Sequence, residues 1–147
     1  MQRISTWIDI ATPPEQVWSV LVDFSAYPMW NPFIRSVSGR TTPGAKLLVT
    51  IQPTARRPMT FEPTVLVCNQ GHELRWLGSV MVRGVFDGEH SFRLSERAGQ
   101  SCRFTNEESF SGFLVPFVMR GAMEAATRSG FEAMNQALKR QVERGAA

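Results

Sequence analysis

Three polar residues, His90, Asn106 and Glu108, alternate with large apolar residues in two successive stretches of the sequence. Successive side chains of a strand point to opposite faces, so each stretch can be divided into two faces. The apolar face of the first stretch carries Phe86, Gly88, His90, Phe92 and Leu94. The apolar face of the second carries Cys102, Phe104, Asn106, Glu108 and Phe110. This parity predicts an imidazole, an amide and a carboxyl group that point inward among aromatic rings.

Charges on the opposite face restrict how the two stretches pair. Placing His90 opposite Asn106 would bring Arg93 opposite Arg103, and like charges directly across a sheet are unfavourable. A slide of two residues pairs His90 with Glu108 and removes the clash, although a slide in the other direction removes it as well. We favour the first slide because a buried carboxylate needs a partner within hydrogen-bond reach.

Two interpretations of the His90 and Glu108 pair follow from its residue types. As a structural pair, the two side chains satisfy each other and fix the sheet. As a functional pair, they anchor the hydroxyl or carbonyl of a ligand in an apolar pocket, or they act as general acid and base. Both interpretations stay open at the level of the sequence.

The elements around these stretches follow from turn and capping signals. Alternation over Gln2 to Ala11 predicts a first strand, and Thr12-Pro13-Pro14-Glu15 resembles a capping box with Pro13 at the first helical position. Two short helices are predicted between there and Phe33. Six further strands are predicted over 33–39, 46–52, 59–69, 72–81, 85–95 and 101–111.

A long C-terminal helix is predicted to begin at Pro116 and to end at Gly145. The side expected to face water carries Glu124, Arg128, Glu132, Asn135, Gln136, Lys139 and Glu143. A row of small residues expected to pack closely consists of Ala122, Ala126, Ala133 and Ala137. A row of large residues consists of Met119, Met123, Phe131, Met134, Leu138 and Val142, and we expect its methionines to line a pocket.

The order of elements, β-α-α-β6-α, predicts an α+β fold. Six strands at hairpin distances imply an antiparallel sheet, which has seven strands once the first is added. One face of that sheet must be covered, and only the final helix is long enough, so the sheet is expected to curl round it. With 147 residues, 43% of them hydrophobic, and no repeat or linker, the sequence predicts a single domain over residues 1–147.

Composition argues against several classes of function. The net charge of +3 is spread without a basic stripe, so no nucleic-acid partner is expected. Two cysteines, Cys68 and Cys102, are too few for a disulfide framework or a zinc site, and we predict no metal and no cofactor. Neither a membrane-spanning run nor a signal peptide is evident, so a cytoplasmic location is expected.

The stretches Ala11 to Trp18 and Asp23 to Phe33 resemble the SRPBCC superfamily, the START-like, helix-grip group that includes polyketide cyclase/dehydratase-like proteins. The segments 74–76, 88–92 and 108–112 look like its small bacterial single-domain members. The resemblance implies a helix-grip fold, a seven-stranded sheet round a long C-terminal helix with an apolar cavity between them. Members bind lipids, sterols, polyketides and other hydrophobic molecules, and some catalyse cyclisation or dehydration.

Parity and resemblance together predict a site for a small hydrophobic or aromatic molecule, such as a lipid or polyketide. The residues predicted to line it are Trp30, Phe61, Trp76, Phe86, His90, Phe92, Phe104, Asn106, Glu108, Met119, Met123 and Met134. The alternative is an enzyme of the polyketide cyclase/dehydratase type, in which His90 and Glu108 are the candidate acid and base.

Overall fold

The computed structural model describes residues 1–80 and 82–146. Its strands are β1 (Gln2–Ile10), β2 (Ile34–Ser38), β3 (Leu48–Ile51), β4 (Met59–Phe61), β5 (Thr64–Asn69), β6 (Glu73–Val80), β7 (Phe86–Arg97) and β8 (Ser101–Ser111). Its α-helices are α1 (Pro14–Leu21), α2 (Tyr27–Trp30), α3 (Val115–Val118) and α4 (Gly121–Ala146), and a 3-10 turn covers Phe24–Ala26. The fold is α+β, as predicted.

The strands form a curved antiparallel surface against α4. The larger sheet has the order β1-β8-β7-β6-β5, and the smaller sheet has the order β2-β3-β4. Backbone hydrogen bonds join the two sheets, from Leu47 N–H to the Pro63 carbonyl and from Val65 N–H to the Ala45 carbonyl. Phe131 of α4 is fully buried in the core between the helix and the strands. The helix-grip architecture expected from the sequence is therefore confirmed.

The described residues contain eight strands where seven are predicted. The predicted strand over 59–69 divides at Pro63, which has no N–H to donate to a neighbouring strand. Its two halves, β4 and β5, belong to different sheets. Met81, the predicted last residue of another strand, lies outside the described residues.

The predicted capping box at the start of α1 is wrong. The residue before the helix is Pro13, with φ −61° and ψ 154°, and Pro14 takes the first turn. A residue that precedes proline is disfavoured in the helical region, so Pro13 is held extended by Pro14. The hydroxyl of Thr12 is buried and has no hydrogen-bond partner among the described residues.

The C-terminal helix begins later than predicted. Pro116 does lie in a first helical turn, but that turn belongs to the short helix α3. Met119 leaves the helical region with ψ 69°, and Gly121 has φ 54°, a left-handed conformation that glycine adopts without steric cost. Helix α4 starts at Gly121 and continues through Gly145, the predicted stop.

The side of α4 predicted to face water instead lies partly along β1. Asn135 is 2% exposed, whereas Ala122 and Ala133 of the predicted close-packing row are exposed. Strand β1 is at the edge of the larger sheet. Polar side chains of α4 reach its free backbone carbonyls, as Lys139 Nζ does when it donates to the carbonyl of Asp9 at 3.1 Å.

Candidate functional site

His90 and Glu108 lie directly opposite each other in the β7–β8 pair, which confirms the predicted register. The Nδ1 atom of His90 is 3.3 Å from Oε1 of Glu108. Their side chains are 5% and 16% exposed, respectively. The face of the larger sheet that carries them points toward α4, and we call it the inner face. Arg93 lies opposite Thr105, as the charge pattern predicts.

A chain of polar side chains continues from His90 to β1. His90 Nε2 is 2.7 Å from Asn106 Oδ1, and Asn106 Nδ2 donates to Asn135 Oδ1 at 3.0 Å. Asn135 Nδ2 in turn donates to Thr6 Oγ1 at 2.9 Å, and the Thr6 hydroxyl donates to the Asn106 carbonyl at 3.0 Å. Both polar groups of the Asn106 side chain are therefore bonded within the protein, and Asn106 has no exposed surface.

Three aromatic rings lie close to the imidazole of His90. Its centroid lies 4.3 Å from that of Phe92, 5.0 Å from Phe131 and 5.8 Å from Trp76. Phe104 stacks on Phe92 at 5.9 Å, beyond the imidazole. Such close ring contacts are typical of a packed interior, so this half of the inner face is filled by the protein's own side chains.

Two glycines opposite each other leave room for Phe61 and Glu108. Gly78 of β6 pairs directly with Gly88 of β7. A Cβ at Gly78 would lie 3.0 Å from a ring carbon of Phe61, and a Cβ at Gly88 would collide with Oε2 of Glu108. The two glycines thus allow the aromatic ring and the carboxyl group to lie side by side on the inner face.

Exposure along the inner face changes from one end of the sheet to the other. At one end, Leu74, Phe104 and Cys102 are fully buried, and burial raises the pKa of the Cys102 thiol to about 11. At the other end, Phe86, Gly88 and Glu108 are half-buried, although Phe110 and Gly78, the cross-strand partners of Gly88, are buried. We call this second end the open end. Water therefore reaches the inner face beside Glu108 and not beside Phe104.

The other residues predicted to line a site occupy different depths. Trp76, Phe92 and Met134 are fully buried in the packed half, and Met119 is buried at the junction of α3 and α4. Met123 and Trp30 are half-buried and pack against the core. The indole Nε1 of Trp30 is shielded from water and has no acceptor among the described residues.

Two surface grooves lie elsewhere, and neither is lined by a predicted site residue. One, of about 400 Å³, runs between β1 and α4 and is lined by Ser5, Thr6, Trp7, Ile8, Arg128, Glu132, Asn135 and Gln136. The other, of about 360 Å³, lies beside α1 and is lined by Pro14, Glu15, Trp18, Gln70, Gly71, His72, Leu94 and Glu96. The predicted cavity and its lining residues stay a prediction.

Sequence reasoning missed the roles of three residues: Thr6 and Asn135, which hydrogen-bond each other, and Gly88, which leaves room for the carboxyl group of Glu108. Alternation in β1 breaks at Trp7, and Thr6 lies on the buried face beside that break. Gly88 does lie at an inward position of β7, a signal of close approach by another side chain. Asn135 carries no such signal, because helical spacing groups it with the polar residues Glu132, Gln136 and Lys139.

A sequence model of the family described as polyketide cyclase / dehydrase and lipid transport matches residues 1–143. The chain belongs to this family. No curated protein sequence matches it significantly. The resemblance to the SRPBCC superfamily on which the fold prediction depends is confirmed by this match.

Several solved structures of low sequence identity share the fold. The Zhui aromatase/cyclase from Streptomyces sp. R1128 is 16% identical, with a TM-score of 0.80, over 99% of this chain and 96% of that one. A START superfamily protein from Mycobacterium smegmatis is 18% identical, with a TM-score of 0.73, over 97% of each chain. A Thalictrum flavum norcoclaurine synthase mutant is 12% identical, with a TM-score of 0.72, over 99% and 96%. At these identities the likeness establishes the fold alone.

Neither a membrane span nor a metal cluster is found in the described part of the chain. No helix there is long and apolar enough to cross a membrane. No group of three or more His, Cys, Asp or Glu residues within 1–80 and 82–146 is arranged to hold a metal ion. The single domain, the cytoplasmic location and the lack of a nucleic-acid partner stay predictions.

Proposed function

We propose that this protein binds a small hydrophobic or aromatic molecule between the inner face and α4, with Glu108 and His90 as the polar anchor. The observation that carries the proposal is the partial exposure of three inward-facing residues at the open end. Phe86, Gly88 and Glu108 point inward and are nevertheless reached by water. An apolar surface with one convergent carboxyl group is the usual composition of a small-molecule site. Membership in a family of cyclases and lipid-transport proteins supports the same function.

The ligand would enter at the open end and displace flexible side chains between the sheet and α4. Met123 is half-buried, and its unbranched thioether can adopt several rotamers to fit a ligand. The packed half beyond His90 would serve as the rigid floor of the site. Trp30 offers an N–H without an acceptor, and a buried donor left unpaired costs about 1–3 kcal/mol. A ligand oxygen that accepts from this indole would remove that cost.

The test is a titration of fatty acids, flavonoids and aromatic polyketides, together with mass spectrometry of small molecules extracted from the native protein. Met123→Trp should fill space between α4 and the core and weaken binding of whichever compound binds the wild type. Ala133→Trp is the matched control, because Ala133 is exposed on the same helix. The proposal is wrong if the wild type binds none of these compounds, or if Met123→Trp binds them as the wild type does.

A second candidate function is catalysis of a cyclisation or dehydration, and the His90–Glu108 contact of 3.3 Å favours it. Within the described residues the other ion pairs lie on the outer face or on the surface of α4, so this pair alone is aimed at the proposed ligand. A paired imidazole and carboxyl group can move protons on a bound polyketone. Glu108→Gln should then abolish turnover while it retains binding, and unchanged turnover would contradict catalysis by this pair.

A further inference from the structure

In the chain of polar side chains between β1 and His90, the donor and acceptor of each hydrogen bond are determined by the contact at Thr6. Thr6 Oγ1 lies 3.0 Å from the backbone carbonyl oxygen of Asn106, which can only accept. The Thr6 hydroxyl must therefore donate its single proton there. Its oxygen is left to accept from the side chain of Asn135 at 2.9 Å, and this contact requires the amide NH₂ of Asn135.

The orientation of Asn135 determines the orientation of Asn106. With its NH₂ directed at Thr6, Asn135 turns its Oδ1 toward Asn106, and the NH₂ of Asn106 donates to it at 3.0 Å. The Oδ1 of Asn106 then faces His90 Nε2 at 2.7 Å. Because an amide oxygen only accepts, Nε2 of His90 must carry a proton.

The other ring nitrogen of His90 is thereby left to face Glu108. A neutral imidazole protonated at Nε2 presents a lone pair at Nδ1, and a carboxylate oxygen also presents a lone pair. The two atoms are 3.3 Å apart in a largely buried site, where two facing acceptors repel. The rings around His90 belong to Trp76, Phe92 and Phe131, and none of them supplies a charge.

We propose that His90 and Glu108 together hold one proton between Nδ1 and Oε1, in addition to the proton on Nε2. The pair is then an imidazolium with a carboxylate or an imidazole with a carboxylic acid, and both forms contain the same number of protons. We call three residues positioning residues: Thr6, Asn135 and Asn106. They are not proposed to contact the ligand, and they act by determining which nitrogen of His90 is protonated.

The positions of these two protons predict the chemical class of the ligand, and this prediction rests on the proposed function. Oε1 of Glu108 is occupied by the shared proton in either form. Oε2, which lies over Gly88 at the open end, is therefore an acceptor in both forms. The site should select a hydrophobic molecule that donates a hydroxyl, as a phenol does, over the same molecule with the hydroxyl methylated.

The positions of the protons on His90 and Glu108 are tested by NMR on protein labelled with ¹⁵N in histidine and ¹³C in glutamate. The sequence contains two histidines, and the exposed His72 serves as an internal reference. At pH 7 we expect Nε2 of His90 to be protonated and one further proton to be found on Nδ1 or on the Glu108 carboxyl group. An unprotonated Nε2, or a bare Nδ1 beside an ionised Glu108, would overturn the proposal.

Thr6→Val tests whether Thr6 fixes the donor and acceptor roles along the polar chain. The substitution keeps the shape of the side chain and removes the hydroxyl, so the Asn135 amide is released and a second tautomer of His90 should appear. Thr50→Val is the control, because the Thr50 hydroxyl is hydrogen-bonded to Thr60 in the smaller sheet. If the His90 signals in Thr6→Val match those of the wild type, Thr6 does not fix the tautomer and this part of the proposal is wrong.

The ligand class is tested with 2-naphthol and 2-methoxynaphthalene, which differ in the ability to donate a hydrogen bond. We expect 2-naphthol to bind the wild type about tenfold more tightly and the preference to vanish in Glu108→Leu, in line with hydrogen bonds to charged groups. Equal affinity of the two probes for the wild type would overturn the ligand class and leave binding itself supported. Failure of both to bind would count against the proposed function, while the NMR result stands independently of any ligand.

Discussion

Replacing Gly88 by alanine should move Glu108 without altering Glu108 itself. The new Cβ would collide with Oε2 of Glu108 and lie 3.2 Å from its Cδ atom. Because the carboxyl group is the far end of a flexible side chain, it should rotate away rather than displace the backbone. The contact of 3.3 Å between Glu108 and His90 would then be lost.

The magnitude follows from two opposing effects. Loss of a hydrogen bond to a charged group costs about 1.5–3 kcal/mol. Gly88 does not have a positive φ, so alanine fits its backbone and restricts the unfolded chain, which offsets about 0.4–1 kcal/mol. The free energy of unfolding of Gly88→Ala should therefore fall by about 1–2 kcal/mol, with a clear change in the ¹⁵N signals of His90.

Gly78→Ala is the matched control for this experiment. Gly78 lies directly opposite Gly88, but its Cβ would meet the ring of Phe61 at 3.0 Å instead of a carboxyl group. Overpacking of this kind costs about 1–3 kcal/mol, so both variants should lose stability in urea unfolding. Only Gly88→Ala should change the His90 signals. If the His90 signals do not change in Gly88→Ala, or change equally in both variants, Glu108 is not held by this contact.

Three further variants test the packed interior, an ion pair on the outer face and the proposed ligand contact of Trp30. Phe131→Ala should lower the free energy of unfolding by about 3–5 kcal/mol, because it removes a fully buried ring that contacts His90 and Phe33; a loss below about 1 kcal/mol in urea unfolding would contradict a packed floor. Burial alone would raise the pKa of Glu107, but hydrogen bonds from Arg93 and Ser5 lower this pKa overall. The carboxylate therefore stabilises the fold above about pH 4.3, the pKa of glutamate in an unfolded chain. This stabilisation is lost as the pH falls through the lowered pKa of Glu107 in the folded protein. Glu107→Gln should therefore be less stable than the wild type at pH 7 and should lose that deficit by about pH 2, and a deficit that is the same at both pH values would refute the stated cause. Trp30→Phe should weaken binding of an oxygen-containing ligand about tenfold in the titration and leave an oxygen-free aromatic probe unaffected, whereas equal weakening of both would show that the indole N–H is not used.

Much of the fold could be predicted because strand parity and cross-strand charge act locally. His90, Asn106 and Glu108 were assigned to the inner face from alternation alone. The repulsion that would arise between Arg93 and Arg103 led to the observed pairing of His90 with Glu108. The boundaries were less predictable, since Pro63 and Gly121 divide elements according to where the chain must turn in three dimensions.

The sequence by itself determined which side chains share a face, because the alternation of a strand and the spacing of a helix are properties of the backbone. Only the tertiary structure decided which faces meet. Helical spacing predicts that Asn135 lies on the polar, water-facing side of the helix, yet α4 packs along β1 and buries Asn135 against Thr6. That contact joins residues 129 positions apart in the chain. No local sequence pattern predicts the contact between Asn135 and Thr6. That contact determines the tautomer of His90 beside Glu108.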